Sequence, residues 1–382
     1  MIPYSTQSIS QEDISAVIEQ LRSPMLTQGP AVAGFEKRLA DYTGAEHVLA
    51  VSNGTAALHL AILALEVDAD SLVWTTPNSF VASANCARYV DAEVDFVDID
   101  LDTYCMSIGA LKEKLTQAAS LGKLPDVVIP VHHSGFVCEM RSIAALADQY
   151  NFKIIEDASH ALGSSYHSEK VCSSKYSDIS VSSFHPVKNI TTGEGGAIFT
   201  NCEEAAAKIE LLRSHGITRD SSVMNYFDET PWHYEQIILG YNYRITDIQC
   251  ALGSSQLTKL DAWTEQRNEL AARYDKLFSG AGIKTQTVTD DIWSARHLYV
   301  VRIPDGNRDL VGKALRSKDI LVNLHYAPIH LQPYYRKLGF KLGDFPQAET
   351  YGRDALSIPL FPALTYDEQD MIVHEILSLS GI

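Results

Sequence analysis

The sequence predicts an α/β fold in which a large domain with a mostly parallel sheet flanked by helices precedes a smaller C-terminal α+β domain. Three observations predict it. The chain has 382 residues, which is too long for one simple core. Short apolar runs alternate with helical patterns over the first two-thirds, as in parallel sheets with helices on both faces. The pattern then changes after residue 245.

Seven short apolar runs predict the strands of the large sheet. They span residues 47–52, 71–76, 93–99, 126–131, 152–157, 179–184 and 196–201. Helices are predicted between several of these runs, at residues 55–65, 108–118 and 141–149. Strand, helix and strand in repetition favour parallel pairing.

The C-terminal third predicts the smaller domain. Thr246 and Gln249 form a capping-box pattern that opens one long helical run. Residues 297–303 and 320–326 then resemble strands of a second unit. We therefore expect a large domain over residues 1–250 and a small domain over residues 251–382, joined by that helix.

Composition and charge exclude several classes of function. Hydrophobic residues make up 46% and charged residues 21%, which is ordinary for a globular protein. The net charge of −17 disfavours nucleic acid and anionic membranes as partners. No apolar run is long enough to span a bilayer, and the first fifteen residues lack a secretory pattern, so a cytoplasmic location is expected. The six cysteines show no C-x-x-C spacing and are expected to be reduced and mostly buried.

Two ionisable residues follow neighbouring predicted strands and together indicate a specific chemistry. Asp157 ends the strand at 152–157, and Lys188 follows the strand at 179–184 and precedes a Gly-rich turn. Taken singly, the aspartate could cap a helix and the lysine could be a surface cation. Ligands of open α/β sheets bind at the carboxyl ends of the strands, where both residues are expected.

Such a pair suits pyridoxal phosphate (PLP). A lysine amine forms a Schiff base with the PLP aldehyde. A carboxylate beside the pyridine nitrogen keeps that nitrogen protonated, because a nearby negative charge favours the cationic ring. The protonated ring then stabilises a carbanion. We therefore predict Lys188 and Asp157 as the two ends of a PLP site.

Two further segments add candidate cofactor contacts. Gly54 and Thr55 begin a helix directly after a strand, where free backbone N–H groups suit a phosphate. Thr55 and Ser183 can add hydroxyl donors. Phe80 follows a proline-bearing turn and could stack on the pyridine ring. The simpler alternatives are an Asn53 helix cap without ligand and a core position for Phe80.

These segments, in this order, resemble the DegT/StrS-type sugar aminotransferases, which have PLP fold type I, the aspartate aminotransferase-like fold. The resemblance covers nearly the whole chain. Its most specific blocks are EDASHALGS at residues 156–164 and SFHPVKNITTGEGG at residues 183–196. It also includes IPYSTQSIS, SPMLTQGP, SNGTAALHL, PVHHSG, LRSHGI, GYNYRITDIQCALG, HYAPIHLQPYYR and LSIPLFP.

The resemblance implies a set of cofactor contacts. Lys188 is the Schiff-base lysine and Asp157 the partner of the pyridine nitrogen. His160 hydrogen-bonds the phenolic oxygen of PLP, Phe80 stacks on its ring, and Gly54, Thr55 and Ser183 hold the phosphate. Asn242 reaches the phosphate of the neighbouring subunit's cofactor, which implies a homodimer with shared active sites.

The resemblance also implies a substrate. It is strongest to the pseudaminic-acid branch, whose members transfer the amino group of L-glutamate to C4 of a UDP-4-keto-6-deoxy-N-acetylhexosamine. Contacts to the hexose or the UDP are then expected from the residues that match that branch, which are Tyr4, Leu26, Thr27, Gln28, Gly29, His325 and Tyr326. Relatives commonly have P-V-H-L-Y-G where this chain has P-V-H-H-S-G at residues 130–135, so a different local contact is expected there.

Other functions remain open at this point. The substrate could be that of a perosamine, legionaminic-acid or 4-amino-arabinose aminotransferase, because such pockets differ in a few hydroxyl contacts. A non-catalytic PLP-binding regulator would need a DNA- or partner-binding module, and no basic helix-turn-helix pattern is visible. A nicotinamide enzyme lacks its G-x-G-x-x-G. No metal is expected, since His132 and His133 are adjacent on an extended segment and point to opposite sides.

Overall fold

The structure, a computed structural model, describes residues 1–226, 230–303 and 306–379. Its strands are β1 (His47–Val51), β2 (Leu72–Thr75), β3 (Glu93–Phe96), β4 (Val127–Ile129), β5 (Lys153–Asp157), β6 (Ser165–Tyr166), β7 (Glu169–Lys170), β8 (Ile179–Ser183), β9 (Gly196–Thr200), β10 (Ile217–Thr218), β11 (Glu235–Gln236), β12 (Lys284–Thr285), β13 (Ile292–Trp293), β14 (Tyr299–Arg302) and β15 (Ala355–Ile358).

The helices of the described residues follow these strands in the expected alternation. They are α1 (Gln11–Arg22), α2 (Pro30–Thr43), α3 (Gly54–Ala64), α4 (Ala82–Arg88), α5 (Ile108–Leu121), α6 (Met140–Tyr150), α7 (Glu203–Arg213), α8 (Asp247–Leu257), α9 (Leu260–Leu277), α10 (Arg308–Ser317), α11 (Pro333–Arg336), α12 (Pro346–Asp354) and α13 (Tyr366–Leu379).

A seven-stranded sheet in the order β1-β9-β8-β5-β4-β2-β3 forms the centre of the protein. All seven predicted strands are present, and the pairs from β8 through β3 are parallel. Only β9 departs, because it runs antiparallel to both β1 and β8. The predicted mostly parallel sheet flanked by helices is confirmed.

Apolar side chains cover both faces of this sheet. Successive residues of β2 show the division, because Val73 and Trp74 belong to two different buried clusters. Side chains alternate between the faces of a strand, so one sheet supplies both clusters. The helix α3 is buried almost throughout, which fixes its N-terminus against the strand ends.

A smaller antiparallel sheet, β12-β14-β15, lies in the C-terminal part and has a third apolar cluster. The strand predicted at 297–303 is β14. The strand predicted at 320–326 is wrong: Ile320 pairs singly with Ile2, and Asn323 singly with Ser357. Two different segments each supply one partner residue, so no continuous ladder forms.

The single long helix predicted after residue 245 is also wrong. The capping box of Thr246 and Gln249 is confirmed, but α8 ends at Leu257 and α9 starts at Leu260. The N–H groups of Thr258 and Lys259 bond three residues back, which tightens and ends the first helix. α8 packs on α1 and α2, and Lys259 Nζ lies 2.8 Å from Asp13 of α1. A domain boundary at residue 250 stays a prediction.

Two smaller expectations also have an outcome. The six cysteines are free, and all except Cys202 are buried. Across the described ranges, no helix has the length and apolar character needed to cross a membrane.

Candidate active site

A cavity of about 970 Å³ opens at the carboxyl ends of β5 and β8, beside the N-terminus of α3. Its size is that of a cofactor or substrate pocket. Ten of the predicted site residues line it: Tyr4, Gly54, Thr55, Phe80, Asp157, His160, Ser183, Lys188, His325 and Tyr326. Residues from distant parts of the chain therefore meet in one pocket, as is expected if the predicted segments form a single site.

Asp157 is the last residue of β5 and is almost fully buried. The hydroxyl of Ser83 donates to Asp157 Oδ2 at 2.6 Å, and the N–H of Ser159 donates to Oδ1 at 3.1 Å. The second bond is the local cap that an aspartate at a strand end often makes. The first bond comes from α4 and fixes the orientation of the carboxylate within the cavity.

Lys188 lies in the turn between β8 and β9 and faces the same cavity. Among the described residues, no hydrogen bond or ion pair involves its Nζ atom. Burial lowers the pKa of Lys188 to about 8, although the negative charge of Asp157 opposes that shift. A lysine with a pKa of about 8 is partly deprotonated at physiological pH. The neutral amine is the form that acts as a nucleophile or a base.

The N-terminus of α3 offers free donors to the cavity. Asn53 caps the helix, because its side chain accepts the N–H of Ala56 at 2.8 Å. The preceding N–H groups, those of Gly54 and Thr55, have no hydrogen-bond acceptor in the part of the chain that the structure describes. A Cβ atom on Gly54 would lie 2.9 Å from the Cβ of Ser183, so only glycine allows this close approach. Helix N-termini with free N–H groups favour anions.

His160 is held as a neutral ring by two contacts. The N–H of Ser134 donates to His160 Nδ1 at 3.3 Å, so Nε2 carries the ring hydrogen and donates to the Tyr326 hydroxyl at 3.0 Å. Burial, and then the charge of Lys188, lower the pKa of His160 well below its usual value. The uncharged imidazole therefore offers one N–H at the wall of the cavity.

Aromatic rings complete the walls. Phe80 is 56% exposed although it follows a buried strand, which excludes the core position that was its simpler alternative. Its ring centroid lies 6.0 Å from that of Tyr326, and the Tyr4 ring lies 5.0 Å from that of His325. A ring left open to a cavity can stack on a planar ligand.

The other five predicted site residues lie outside this cavity. Thr27 pairs with Thr246, and the N–H of Gly29 donates to Asp247 Oδ2 at 2.8 Å. Asn242 is exposed and pairs with Ser214. Within one chain, the residues that are not brought to the cavity are Leu26, Thr27, Gln28, Gly29 and Asn242.

The two adjacent histidines point in different directions. His132 Nε2 lies 2.9 Å from Glu156 Oε2, whereas His133 Nε2 lies 2.9 Å from the carbonyl oxygen of His325. In the described ranges, no group of three or more His, Cys, Asp or Glu side chains has the arrangement of a metal site.

Several residues at the site were missed by reasoning from the sequence. Ser83 binds Asp157 directly, and His297, Glu194 and Asn323 line the cavity. Ser83 lies three residues after Phe80, so its place in the segment 75–85 was a usable signal. His297 had none, because its ring meets that of His160, at 4.4 Å between centroids, only through the tertiary fold.

Fold and site together define a PLP-dependent aminotransferase of fold type I. An amine that no described residue pairs with shares a cavity with a firmly held carboxylate. Two N–H groups without an acceptor in the described ranges can bind an anion, and the open ring of Phe80 can cover a planar heterocycle. These are the groups that PLP requires.

The chain belongs to the DegT/DnrJ/EryC1/StrS aminotransferase family, whose sequence profile matches residues 7–377. It is 38% identical to UDP-4-amino-4,6-dideoxy-N-acetyl-beta-L-altrosamine transaminase of Campylobacter jejuni, over 99% of this chain and 97% of the relative. It is also 37% identical to an uncharacterized protein of Methanocaldococcus jannaschii, over 98% and 96% of the two chains.

Two solved structures show the same fold over the whole chain. The first is a Streptococcus pneumoniae protein assigned as a sugar aminotransferase, in its PMP form, with a TM-score of 0.91, 30% identity and coverage of 100% and 99% of the two chains. The second is Helicobacter pylori PseC, an aminotransferase involved in the biosynthesis of pseudoaminic acid, with a TM-score of 0.89, 31% identity and coverage of 100% and 99%. The resemblance inferred from the sequence motifs is thereby confirmed.

The lowered pKa of Lys188 predicts the pH dependence of cofactor loading. Only the neutral amine attacks an aldehyde, so the rate at which cofactor-free protein gains visible absorbance with PLP should rise with pH, with a midpoint near 8. Because the Asp157 carboxylate holds this pKa up, Asp157→Asn should lower the midpoint. N-α-acetyl-lysine in solution is the control for titration of PLP itself. A midpoint at the ordinary lysine value of about 10.4 contradicts the assignment.

Proposed function

We propose that this enzyme transfers the amino group of L-glutamate to C4 of a UDP-4-keto-6-deoxy-N-acetylhexosamine. The product is UDP-4-amino-4,6-dideoxy-N-acetyl-β-L-altrosamine, a precursor of pseudaminic acid. The observation that carries the transamination is the amine of Lys188, which pairs with none of the described residues, in one cavity with the hydrogen-bonded carboxylate of Asp157. The sugar is supported by the C. jejuni relative, with 38% identity over nearly the whole chain, and by the likeness to PseC.

When bound, PLP supplies an electron sink for the carbanion that proton removal leaves. Lys188 is proposed as the group that moves the protons. Its neutral amine takes the α-proton of L-glutamate and, in the second half-reaction, delivers a proton to C4 of the sugar. One base serves both half-reactions, which is typical of ping-pong kinetics.

Asp157 is proposed to hold the pyridine nitrogen protonated. Its carboxylate accepts hydrogen bonds from Ser83 and Ser159, which fix its orientation in the cavity. A carboxylate beside the pyridine nitrogen would favour the cationic ring. Asp157 therefore acts through the cofactor rather than on the substrate.

The remaining walls of the cavity are proposed to orient the cofactor. The N–H groups of Gly54 and Thr55, with the hydroxyls of Thr55 and Ser183, hold the phosphate at the positive end of the α3 dipole. Phe80 would cover one face of the pyridine ring, and the N–H of His160 would donate to the phenolic oxygen. The same ring hydrogen of His160 is donated to the Tyr326 hydroxyl. For the last contact to form, this hydrogen must be shared between the two oxygens or must leave the Tyr326 hydroxyl.

The sugar nucleotide is proposed to enter between the cofactor and the turn at residues 323–326. His325 and Tyr326 of that turn line the cavity together with Tyr4. Their hydroxyl and imidazole groups can read the hydroxyl pattern of a hexose.

The substrate is tested by product NMR. Purified holoenzyme is incubated with L-glutamate and a panel of UDP-, GDP- and dTDP-4-keto sugars. We expect UDP-4-keto-6-deoxy-HexNAc to give the 4-amino altrosamine product, and Lys188→Ala to give none because no amine is left to move the protons. Preferred amination of a GDP sugar would instead identify a perosamine-type enzyme. Failure on every sugar nucleotide, with PLP bound, would leave the non-catalytic alternative.

A homodimer with shared active sites is part of the same proposal. The segment before Asn242 exposes several large apolar side chains, namely Val223, Tyr226, Trp232, Tyr234 and Leu239, with Tyr226 81% and Leu239 80% accessible. Such exposure is typical of a surface that another chain covers. Asn242 and residues 26–29 do not line the cavity of their own chain, and the proposal assigns them to the site of a second copy.

Subunit complementation tests the shared site. Lys188→Ala lacks the amine, and Asn242→Asp places a negative charge where the partner's cofactor phosphate is expected. Each variant alone should be nearly inactive. After mixing and subunit exchange, one site of each mixed dimer is intact, so activity should return to about a quarter of the wild-type value. Mixing without recovery, or a fully active Asn242→Asp, contradicts the arrangement.

A further inference from the structure

The carbonyl oxygen of His325 is one of the points at which the turn at residues 323–326 is anchored, and it has two hydrogen-bond partners. His133 Nε2 lies 2.9 Å from this oxygen, and the Tyr351 hydroxyl donates to it at 2.6 Å. His133 belongs to the segment that follows β4, whereas Tyr351 belongs to α12. Two donors from distant elements therefore converge on the backbone of the turn that faces the cavity.

The tautomer and the charge of the His133 ring suit this hydrogen bond. Its Nδ1 atom lies 2.8 Å from the Ser134 hydroxyl, and Nε2 faces a carbonyl oxygen that can only accept. The ring hydrogen is therefore on Nε2, and Ser134 donates to Nδ1. His133 is fully buried, and burial lowers its pKa to about 4, so the ring is neutral at physiological pH. Its backbone carbonyl accepts from Gln286 Nε2 at 3.3 Å, which ties the segment to the region before β13.

The side chains of His325 and Tyr326, which belong to the same turn, line the cavity and form hydrogen bonds of their own. His325 Nδ1 lies 2.9 Å from the Ser357 hydroxyl, so its ring is tied to β15. The Tyr326 hydroxyl accepts the ring hydrogen of His160 at 3.0 Å. The backbone N–H of Tyr326 donates to Asn78 Oδ1 at 3.4 Å. A shift of the His325 carbonyl would displace both rings at once, because they are consecutive residues.

His133 does not line the cavity, so it does not touch the substrate. We infer that His133 is a positioning residue, whose Nε2–H fixes the His325 carbonyl and thereby holds His325 and Tyr326 in place for the sugar nucleotide. The inference rests on the proposed role of that turn as the sugar site. It assigns a function to the second histidine of P-V-H-H-S-G, which the sequence alone left as an unexplained difference from relatives.

Three variants separate the hydrogen bond from packing. His133→Leu keeps an apolar side chain of similar size but removes the donor. His133→Gln keeps a donor at the end of the side chain and an acceptor for Ser134. Tyr351→Phe removes the other donor to the same oxygen. His374→Leu, on the exposed side of α13, is the matched control for the histidine-to-leucine change.

Steady-state kinetics of the holoenzyme give the first readout. His133→Leu and Tyr351→Phe should each raise the KM for the sugar nucleotide about three- to tenfold, the size of one lost buried hydrogen bond. The rate of the spectral change with L-glutamate should stay within about twofold, since the donor half-reaction does not need the sugar turn. His133→Gln should stay near wild type. An equal KM rise in His133→Gln and His133→Leu, or an unchanged KM in His133→Leu, overturns the inference.

Hydrogen exchange of residues 320–331 gives a second readout that needs no substrate. His133→Leu should speed exchange in this segment, whereas His133→Gln and His374→Leu should match wild type. Unchanged exchange in His133→Leu overturns the inference even if the wild-type enzyme is inactive on the proposed sugar. If wild type fails to aminate the UDP sugar but the exchange pattern holds, the proposed substrate is wrong and the positioning role stands.

Discussion

The parallel pairing of β5 with β8 is the constraint on which the rest of the site depends. Parallel strands end at the same edge of a sheet, so Asp157, at the end of β5, and Lys188, just after β8, open on one cavity. The register places Asp157 opposite Val181, two residues before the end of β8. The turn that follows β8 then brings Lys188 to the cavity that Asp157 lines.

The electrostatics of the cavity follow from that pairing. One carboxylate and one amine are the ionisable groups that the proposed chemistry uses. The imidazoles of His133, His160 and His325 stay uncharged because burial lowers the pKa of each. Neutral rings can orient ligands through hydrogen bonds without competing for the proton that Lys188 moves. In the proposed mechanism the buried networks behind the cavity set its geometry, while the lysine and the cofactor carry the reaction.

Local signals made much of this protein predictable. The seven strands of the sheet and the capping box at Thr246 depend on neighbouring residues, and the pair Asp157 and Lys188 depends on strand order. The single bridges that replace a strand at 320–326 depend on which distant segments lie beside it. The antiparallel direction of β9 depends on its return alongside β8, which an apolar run does not reveal. The bonds of Ser83 to Asp157 and of His160 to Tyr326 join residues 74 and 166 positions apart. The position of Ser83 close to Phe80 marked it as a residue near the site, but the partner of each bond is set by the tertiary fold.

Covalent mapping of the cofactor tests the central claim most directly. Holoenzyme is reduced with borohydride, which fixes bound PLP to its lysine, and the peptides are analysed by mass spectrometry. The account predicts the pyridoxyl group on the peptide that contains Lys188, with none on Lys188→Ala treated in the same way. A pyridoxyl group on any other lysine, or reduced holoenzyme without a label at Lys188, would contradict it.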